Sequence, residues 1–502
     1  MNVWDFLTTA AANHPHHEAL RQGPRVHTYA EALQLATQLA ATLHERGVKR
    51  GDRIGCLMHN HIDHYLAYFA AAATGAILVS LNTRLATGEQ QNILAHSESV
   101  LLLHDDAHAA RATELRYDLR GGSVSVADAI AAGDASTFSP TLAAADEPAH
   151  LYYTSGTTGS PKGVVLTHRN VCTHALAAVQ ELGLCATDRW AHIAPMFHLA
   201  DAWATFAITH VAGTHAFLPH FTANAALDLL AAERITITNL VPVMLNLMVK
   251  EPGAANRPFT LRVMLSGGAP IAPDVVRRIL DVFRCDYVQT YGMTETSPYL
   301  TLSLLTPALQ QLPFEQQLHW KCKTGRPFSG VQLEVVDDAG KAIPADARTV
   351  GEIRVKGATV TRGYWQNPEA TAAAFDAQGF LRTGDLATID EHGYIDIVDR
   401  KKDVIKTGGE AVYSVEVENV LYAHPAVLEC AVYGMPDAMW GERVTAAIVL
   451  RPGCAATTQE LISFCRDRIA HYKAPKEVRF LTALPRTGSG KITKKALRES
   501  AG

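Results

Sequence analysis

Between Tyr152 and Gly163 the chain reads Tyr-Tyr-Thr-Ser-Gly-Thr-Thr-Gly-Ser-Pro-Lys-Gly. Thr154, Ser155, Thr157 and Thr158 supply four hydroxyls, Gly156, Gly159 and Gly163 three glycines, and Lys162 a cation, all in one stretch. Glycines let backbone N–H groups approach an anion closely, and hydroxyls and an ammonium add donors and charge. Such a loop suits a polyphosphate. A plain surface turn needs only one or two such residues. A Walker loop is a poor fit, because it places lysine directly after the last glycine and then runs from Ser or Thr into a helix. Here Ser160 and Pro161 separate Gly159 from Lys162, and Val164-Val165-Leu166 follows. With Leu151-Tyr152-Tyr153 ahead of it, the stretch reads as strand, loop, strand.

A second Gly/Ser-rich stretch, Gly488-Ser489-Gly490-Lys491, lies near the C-terminus. Glycines let such a loop enter a site, and a lysine brings a mobile point charge. It too fails as a Walker loop, since Pro485 stands where the first glycine belongs and Ile492 follows the lysine. Between the two loops lie Tyr291-Gly292-Met293-Thr294-Glu295-Thr296, Thr383-Gly384-Asp385, the charge run Asp399-Arg400-Lys401-Lys402-Asp403, and Gly408-Gly409-Glu410.

The elements that position these residues follow from hydrophobic periodicity. Thr28 to His44 predicts an amphipathic helix capped by Thr28, with Glu31 three residues on. Ile54–Met58, Gly75–Val79 and Val100–His104 predict strands, and His64–Ala73 an apolar helix. Residues 106–150, rich in Ala and Asp, read as a loose connector. Thr167–Leu182 predicts a helix, Trp190–Ala194 a strand ending at Pro195-Met196-Phe197-His198. Ala207–Phe217 and Ile235–Val241 continue the helix–strand rhythm. Leu261–Leu265 predicts a strand entering Ser266-Gly267-Gly268-Ala269-Pro270, and Asp274–Phe283 the helix after it. Strands alternating with helices imply a mostly parallel, doubly wound α/β sheet. From about residue 330 the pattern changes to the polar–apolar alternation of Gln332–Val336, Gly351–Val355 and Tyr394–Val398, a small antiparallel sheet or barrel-like subdomain over about 330–398. The charge run marks the boundary of a small α+β domain, with a helix at Ser414–Ala423, strands near Val427–Tyr433 and Ala446–Leu450, and a helix at Gln459–His471. The division expected is 1–400 and 401–502.

The 502 residues are 48% hydrophobic and 19% charged, the balance of a globular enzyme with sizeable cores. A net charge of −5 points to no nucleic-acid partner. The eight cysteines are scattered without CxxC spacing, so reduced thiols and a cytoplasmic setting are expected. No signal peptide and no transmembrane segment are read. His14, His16 and His17 read as a solvated turn.

In this order and spacing the six stretches resemble the adenylate-forming superfamily of acyl-CoA synthetases, luciferases and peptide-synthetase adenylation domains, over nearly the whole chain. The resemblance implies two half-reactions. A carboxylate attacks the α-phosphate of ATP to give an acyl-adenylate and pyrophosphate, and a thiol, usually of coenzyme A, then displaces AMP. Donors and positive charge must offset the repulsion between carboxylate and phosphate. By resemblance, Thr154, Ser155, Gly156, Thr157, Thr158, Gly159 and Lys162 hold the β- and γ-phosphates. Thr294 touches the α-phosphate and Glu295 holds Mg²⁺, a hard cation suited to carboxylate oxygen. Tyr291 and Gly292, with Gly267, Gly268 and Ala269, frame the adenine. Asp385 takes the ribose hydroxyls with help from Arg400. Lys491 bridges carboxylate and α-phosphate. The C-terminal domain pivots at Lys402, withdrawing Lys491 and presenting Gly408, Gly409 and Glu410 to pantetheine. Arg84, Lys473, Lys476 and Trp440 match positions near coenzyme A.

The acyl pocket implied lies near His198, Leu199, Ala200, Trp203, Asn239, Val241, Pro242, Met244, Gly267 and Thr296. His198, grouped with Lys491, Thr294 and Glu295, reads as a pocket gate rather than a general base, since the acid is already ionised at neutral pH. The direction of Asp201 is open. No Asp or Lys stands where amino-acid activators hold an α-amino group, and the apolar lining favours a fatty or aryl acid. The segment Tyr299–Lys323, long for this position, bears on the pocket mouth. The function implied is an ATP-dependent carboxylic acid–CoA ligase using ATP, Mg²⁺ and coenzyme A, with small-molecule partners and a homodimer left open. The alternatives are an acyl-AMP ligase that loads a carrier-protein thiol, a nucleotide-binding regulator, and the oxidative luciferase branch.

Overall fold

The computed structural model describes residues 1–115, 119–154, 161–269, 271–486 and 492–500. The chain divides into two compact units, Met1–Gln332 with Lys356–Leu381, and Leu333–Val355 with Arg382–Gly502.

The first unit is built on two sheets. One runs in the order Ser123–Ser125, Ser99–His104, Arg53–Leu57, Ile77–Ser80, Pro148–Thr154 and Lys162–Thr167. Its neighbours pair in parallel except the last two, which form an antiparallel hairpin. The other sheet has nine strands. Asp286–Gly292, Val263–Gly267, Ile237–Leu240, Arg189–His192, Thr214–Phe217 and Glu18–Gln22 form its parallel centre, and antiparallel strands close both edges. Parallel strands buried on both faces read as apolar runs rather than alternation, which is why they were legible.

The helix Ile62–Thr74 lies between the sheets, with all 13 residues buried. A helix apolar on every side has no face to offer water. Tyr68 Oη lies 2.8 Å from Tyr152 Oη on the six-stranded sheet. Tyr65 Oη lies 2.8 Å from Thr209 Oγ1 on the helix Leu199–His210 beside the other sheet. The helix Tyr29–Glu45 begins where expected: Thr28 accepts from Glu31 N, and Glu31 accepts from Thr28 N at 2.7 Å. The reciprocal bonds satisfy two donors that the first turn leaves without helical partners.

The stretch read as a loose connector is structured. It carries the helices Ala109–Leu115 and Val126–Ala132, and Ser123–Ser125 extends the six-stranded sheet. Alanine favours helix, and a strand of three residues is too short to show a period. The segment 299–323 begins with the strand Tyr299–Leu302, paired antiparallel with Asp286–Gly292 on one side and Arg326–Pro327 on the other, followed by short helices. Of these, Phe314–Lys321 is tied to the helix Pro273–Phe283 by Arg277–Glu315 at 2.6 Å.

In the second unit the strands Val331–Val336, Gly351–Gly357, Leu381–Ile389 and Ile395–Arg400 form one sheet, in that order. A second sheet orders Glu410–Val412, Ile405–Thr407, Gly441–Leu450 and Val427–Asp437, with Glu477–Phe480 parallel to Gly441–Leu450. The helices Ser414–Tyr422 and Thr458–Arg466 cover it through Val417, Leu421, Leu461 and Cys465. The second helix ends at Arg466, five residues before the expected His471. Among the described residues no helix is long and apolar enough to cross a membrane.

Candidate active site

The hairpin Pro148–Thr154/Lys162–Thr167 sets Thr154 opposite Lys162. Ser155, Gly156, Thr157, Thr158 and Gly159 lie outside the described residues. Immediately beyond the loop, the strand from Lys162 takes a second partner. Trp365 N donates to Gly163 O at 2.7 Å and Val165 N to Gly363 O at 3.1 Å. These bonds set the Tyr364 ring under Lys162, whose Nζ is 5.1 Å from the ring centroid. An ammonium over an aromatic face keeps its charge while gaining from the ring quadrupole.

Tyr364 also reaches Glu295. Its hydroxyl donates to Glu295 Oε1 at 2.9 Å. Burial, and then the neighbouring Glu295 carboxylate, push the Tyr364 phenol well up, so it remains a donor. Glu295 is 7% exposed and lies in the short turn Thr294–Thr296, anchored by Thr361 N donating to Glu295 O at 2.7 Å. Tyr364 was not singled out in the sequence. Its signal was weak, an aromatic pair after Gly363 with nothing local to suggest Lys162 or Glu295 as neighbours.

Four neighbouring parallel strands of the nine-stranded sheet, Arg189–His192, Ile237–Leu240, Val263–Gly267 and Asp286–Gly292, lead from their carboxyl ends into the expected residues. In open α/β sheets the crevice outside these ends is where ligands bind. Gly267 pairs with Thr290, and a Cβ on Gly267 would stand 2.2 Å from Thr290 Oγ1, so no larger residue fits. Gly268 follows with φ +85, a left-handed conformation natural to glycine. Ala269 is exposed, and its carbonyl accepts from Gln289 Nε2 at 3.1 Å. Tyr291 is half-buried at the end of the next strand. A Cβ on Gly292 would meet Pro298 O at 2.0 Å.

Among the residues expected at an acyl pocket, His198 caps the helix Leu199–His210 and packs on Phe197 with ring centroids 4.8 Å apart. Asn239 Nδ2 donates to Ala200 O at 2.7 Å, while Asn239 Oδ1 is buried without a hydrogen-bond partner. Val241 is 38% exposed, with its Cγ1 3.8 Å from where a Gly268 Cβ would be. Met244 is 8% exposed. Trp203 is buried in the main core against Trp190 and Tyr299, at 5.1 and 5.0 Å. Thr296 is fully buried, and its hydroxyl donates to Pro298 O and Met293 O. It braces the Glu295 turn and offers no polar group to an acid.

Asp201 turns into the core. Its carboxylate meets His192 Nδ1 at 2.5 Å and Trp190 Nε1 at 3.3 Å, and the chain continues from His192 Nε2 to His215 Nδ1 at 3.0 Å. Burial raises the Asp201 carboxyl well above its usual range and lowers His192 to about 3. The group is a buried, hydrogen-bonded brace that ties the helix Leu199–His210 to the strands Arg189–His192 and Thr214–Phe217.

In the second unit, Asp385 and Arg400 are partners across antiparallel strands, with Arg400 Nε 3.3 Å from Asp385 Oδ1. Asp385 is 7% exposed. Lys402 is exposed in a turn closed by Asp403 N donating to Arg400 O at 2.8 Å. Partial desolvation of the ammonium, then the nearby Arg400 charge, lower its pKa. Gly408 and Gly409, at φ 61 and 85, make the two-residue turn of a hairpin that pairs Thr407 with Glu410. Glu410 is exposed. Trp440 is half exposed and lies against Gly408, where an added Cβ would come 2.9 Å from its ring.

Lys473 is paired with Glu416 at 2.8 Å, and Lys476 donates to His471 O at 3.4 Å. In the first unit Arg84 is exposed. Lys491 lies outside the described residues, but the ends of its loop are joined by the bridge Arg486↔Ile492 and by Thr493 N donating to Pro485 O at 2.9 Å. Lys494, three residues on, is bound to Glu418 at 2.8 Å.

The AMP-binding enzyme family model matches residues 7–365, and the AMP-binding enzyme C-terminal domain model matches residues 416–491. The chain is 37% identical over 518 aligned residues to a long-chain-fatty-acid–CoA ligase of Thermus thermophilus, covering 99% of this chain and 95% of that protein. It is 36% identical to a feruloyl-CoA synthase of an Amycolatopsis species, covering 97% and 96%. Among solved structures, o-succinylbenzoate CoA synthetase from Bacillus subtilis, in complex with its acyl-adenylate intermediate, superposes with a TM-score of 0.89 at 30% identity over 99% of this chain and 98% of that one. The same enzyme is also solved with ATP and a magnesium ion, at a TM-score of 0.85.

Proposed function

The chain belongs to the AMP-binding enzyme family, and on that footing we propose that it joins a carboxylic acid to coenzyme A through an acyl-adenylate, releasing pyrophosphate and then AMP. The acid proposed is a medium- or long-chain fatty acid or an aryl acid. The observation that carries the reading is the meeting of Lys162, Tyr364 and Glu295, with Glu295 three residues beyond the strand that pairs with Gly267.

The parts divide the work by charge. Lys162 and the hydroxyl loop bind the β- and γ-phosphates as donors. Gly267 and Gly268 leave room for a flat base beside Tyr291. Asp385, an acceptor fixed by Arg400, suits the two ribose hydroxyls. Thr294 lies beside Glu295 and donates to the α-phosphate. Glu295 is a hard oxygen ligand that fits Mg²⁺. Bound there, Mg²⁺ supplies positive charge that lowers the repulsion between phosphate and incoming carboxylate. Val241 and Met244 line the apolar side, and His198 gates it. Lys491, on a loop whose ends are pinned, supplies the cation between carboxylate and α-phosphate. The hinge at Lys402 and the division of the chain there belong to the same proposal. So does the presentation of Gly408, Gly409 and Glu410 to pantetheine, with Trp440 beside them. Lys473, already held by Glu416, and Arg84 and Lys476 are the weaker coenzyme A contacts.

The test is carboxylate-dependent ATP–pyrophosphate exchange, followed by AMP release with free coenzyme A or a phosphopantetheinyl carrier protein. Exchange with coenzyme-A-dependent AMP release supports the ligase. Exchange with AMP release only on the carrier moves the function to carrier loading. Absence of exchange across a panel of fatty and aryl acids removes the reading.

A further inference from the structure

The parallel strands Arg53–Leu57 and Ser99–His104 of the six-stranded sheet end in register, with Leu57 beside His104. The residues just beyond bring His59, Asp105 and His108 together, each with a ligand atom within 4.8 Å of the others'. We propose that His59, Asp105 and His108 form a site for a divalent transition-metal ion of the Zn²⁺ class, separate from the nucleotide's Mg²⁺.

The carboxylate is the centre of the cluster. Asp105 Oδ1 accepts from His108 N at 3.0 Å and lies 2.5 Å from His108 Nδ1. Asp105 Oδ2 accepts from His59 N at 2.9 Å. The two backbone bonds fix the carboxylate whatever the imidazoles do.

A structural Asp–His pair would need only His108. The second imidazole is the telling feature. His59 Nδ1 is buried and faces Asp105 Oδ2 from 3.5 Å, too far for a well-formed hydrogen bond. The His59 ring is held between two others, with centroids 4.4 Å from His108 and 4.3 Å from His220. Two imidazoles converging on one carboxylate, one bonded to it and one standing off at 3.5 Å, have the outline of an incomplete coordination set.

The donor set chooses the ion. Two imidazole nitrogens and one carboxylate oxygen suit Zn²⁺, Co²⁺ or Ni²⁺, whereas Mg²⁺ and Ca²⁺ favour oxygen alone. Binding uses an imidazole lone pair on each histidine, so protons and the metal compete for the same atoms. His220 packs its ring against His59 and is exposed, but it lies outside the three-residue cluster. The site also adjoins the acyl side, because Asn60, next to His59, donates to His192 O and Ala194 O and accepts from Met196 N.

The probe is Co²⁺ alone, added to the EDTA-treated, dialysed full chain and read by visible d–d absorption, with Zn²⁺ as competitor. One equivalent of Co²⁺, displaced by Zn²⁺, is expected. His59→Gln, His108→Gln and Asp105→Asn should each weaken it by more than about 100-fold, the upper end of the effect of removing a mere supporting residue. A His14→Gln, His17→Gln double variant should keep it. If Asp105→Asn fails to fold, as judged by circular dichroism, the two glutamine variants decide, since they keep the carboxylate and its backbone bonds. Absence of a stoichiometric signal overturns the site. So does its survival in a His59→Gln, His108→Gln chain, or its loss on changing His14 and His17.

Discussion

The Tyr364 hydroxyl donates to Glu295 Oε1 at 2.9 Å across 69 residues of sequence. With Lys162 Nζ 5.1 Å from the centroid of the same ring, a single side chain fixes both the cation beside the hydroxyl loop and the carboxylate assigned to Mg²⁺. The loop proposed to hold phosphate and the carboxylate proposed to hold Mg²⁺ thus share one positioning residue.

Removing that residue's hydroxyl should therefore be felt by the metal. A hydrogen bond to a charged group contributes about 1.5–3 kcal/mol, so Tyr364→Phe should lower kcat/KM for ATP–pyrophosphate exchange about ten- to a hundredfold. It should also raise the Mg²⁺ concentration for half-maximal rate. Glu295→Ala should lose more. Tyr364→Phe with an unchanged Mg²⁺ dependence would remove Tyr364 from this role.

Asp385 and Arg400 differ in exposure, with side chains 10% and 53% exposed. Buried charge-assisted bonds matter more than screened ones. Asp385→Ala should raise the KM for ATP by at least about tenfold, and Arg400→Ala by much less. Equal effects would show that the pair acts as one unit rather than as a binding group and its orienter.

The two half-reactions should separate by mutation. Lys491→Ala is expected to abolish carboxylate-dependent exchange while retaining thioester formation from supplied acyl-adenylate. Lys402→Pro, which stiffens the 400–403 turn, should do the reverse. Equal loss of both steps in Lys491→Ala, or an unaffected second step in Lys402→Pro, contradicts the assignments.

Acid should destabilise the first unit. His174 Nε2 accepts from Tyr299 N and His168 Nδ1 from Val3 N, each at 3.2 Å, and a protonated imidazole has no lone pair to accept with. Burial lowers His174 to about 3, His192 to about 3 and His168 to about 4, from 6.5. The unfolded chain then binds these protons first. Their stability is fully present above pH 6.5 and lost as pH falls, at about 1.4 kcal/mol per unit for each histidine. Asp201, raised by burial, runs the other way and opposes the slope of its partner His192. Melting followed from about pH 7.5 to about pH 5 should show Tm falling by several degrees. His174→Gln, which keeps an acceptor, should flatten the slope. A level Tm would contradict the burial of neutral imidazoles.

The chain's own order of residues was enough wherever the governing physics is local. Thr28 and Glu31 mark a helix start because a capping box is complete within one turn. The apolar runs at Arg53–Leu57, Ser99–His104 and Val263–Gly267 declare buried parallel strands, because each strand meets the same apolar surroundings on both faces. The hydroxyl loop, the Tyr291–Glu295 stretch and Thr383-Gly384-Asp385 likewise gather the residues of the proposed site in adjacent positions. Tertiary packing alone decided the rest. Tyr364 becomes the link between Lys162 and Glu295 only because strand bonds at Gly163 and Val165 deliver it there. Thr296 turns its hydroxyl onto Pro298 O, and Asp201 turns into a histidine brace. Spacing cannot report such directions. They are set by where unsatisfied backbone groups and buried charges find partners across the fold.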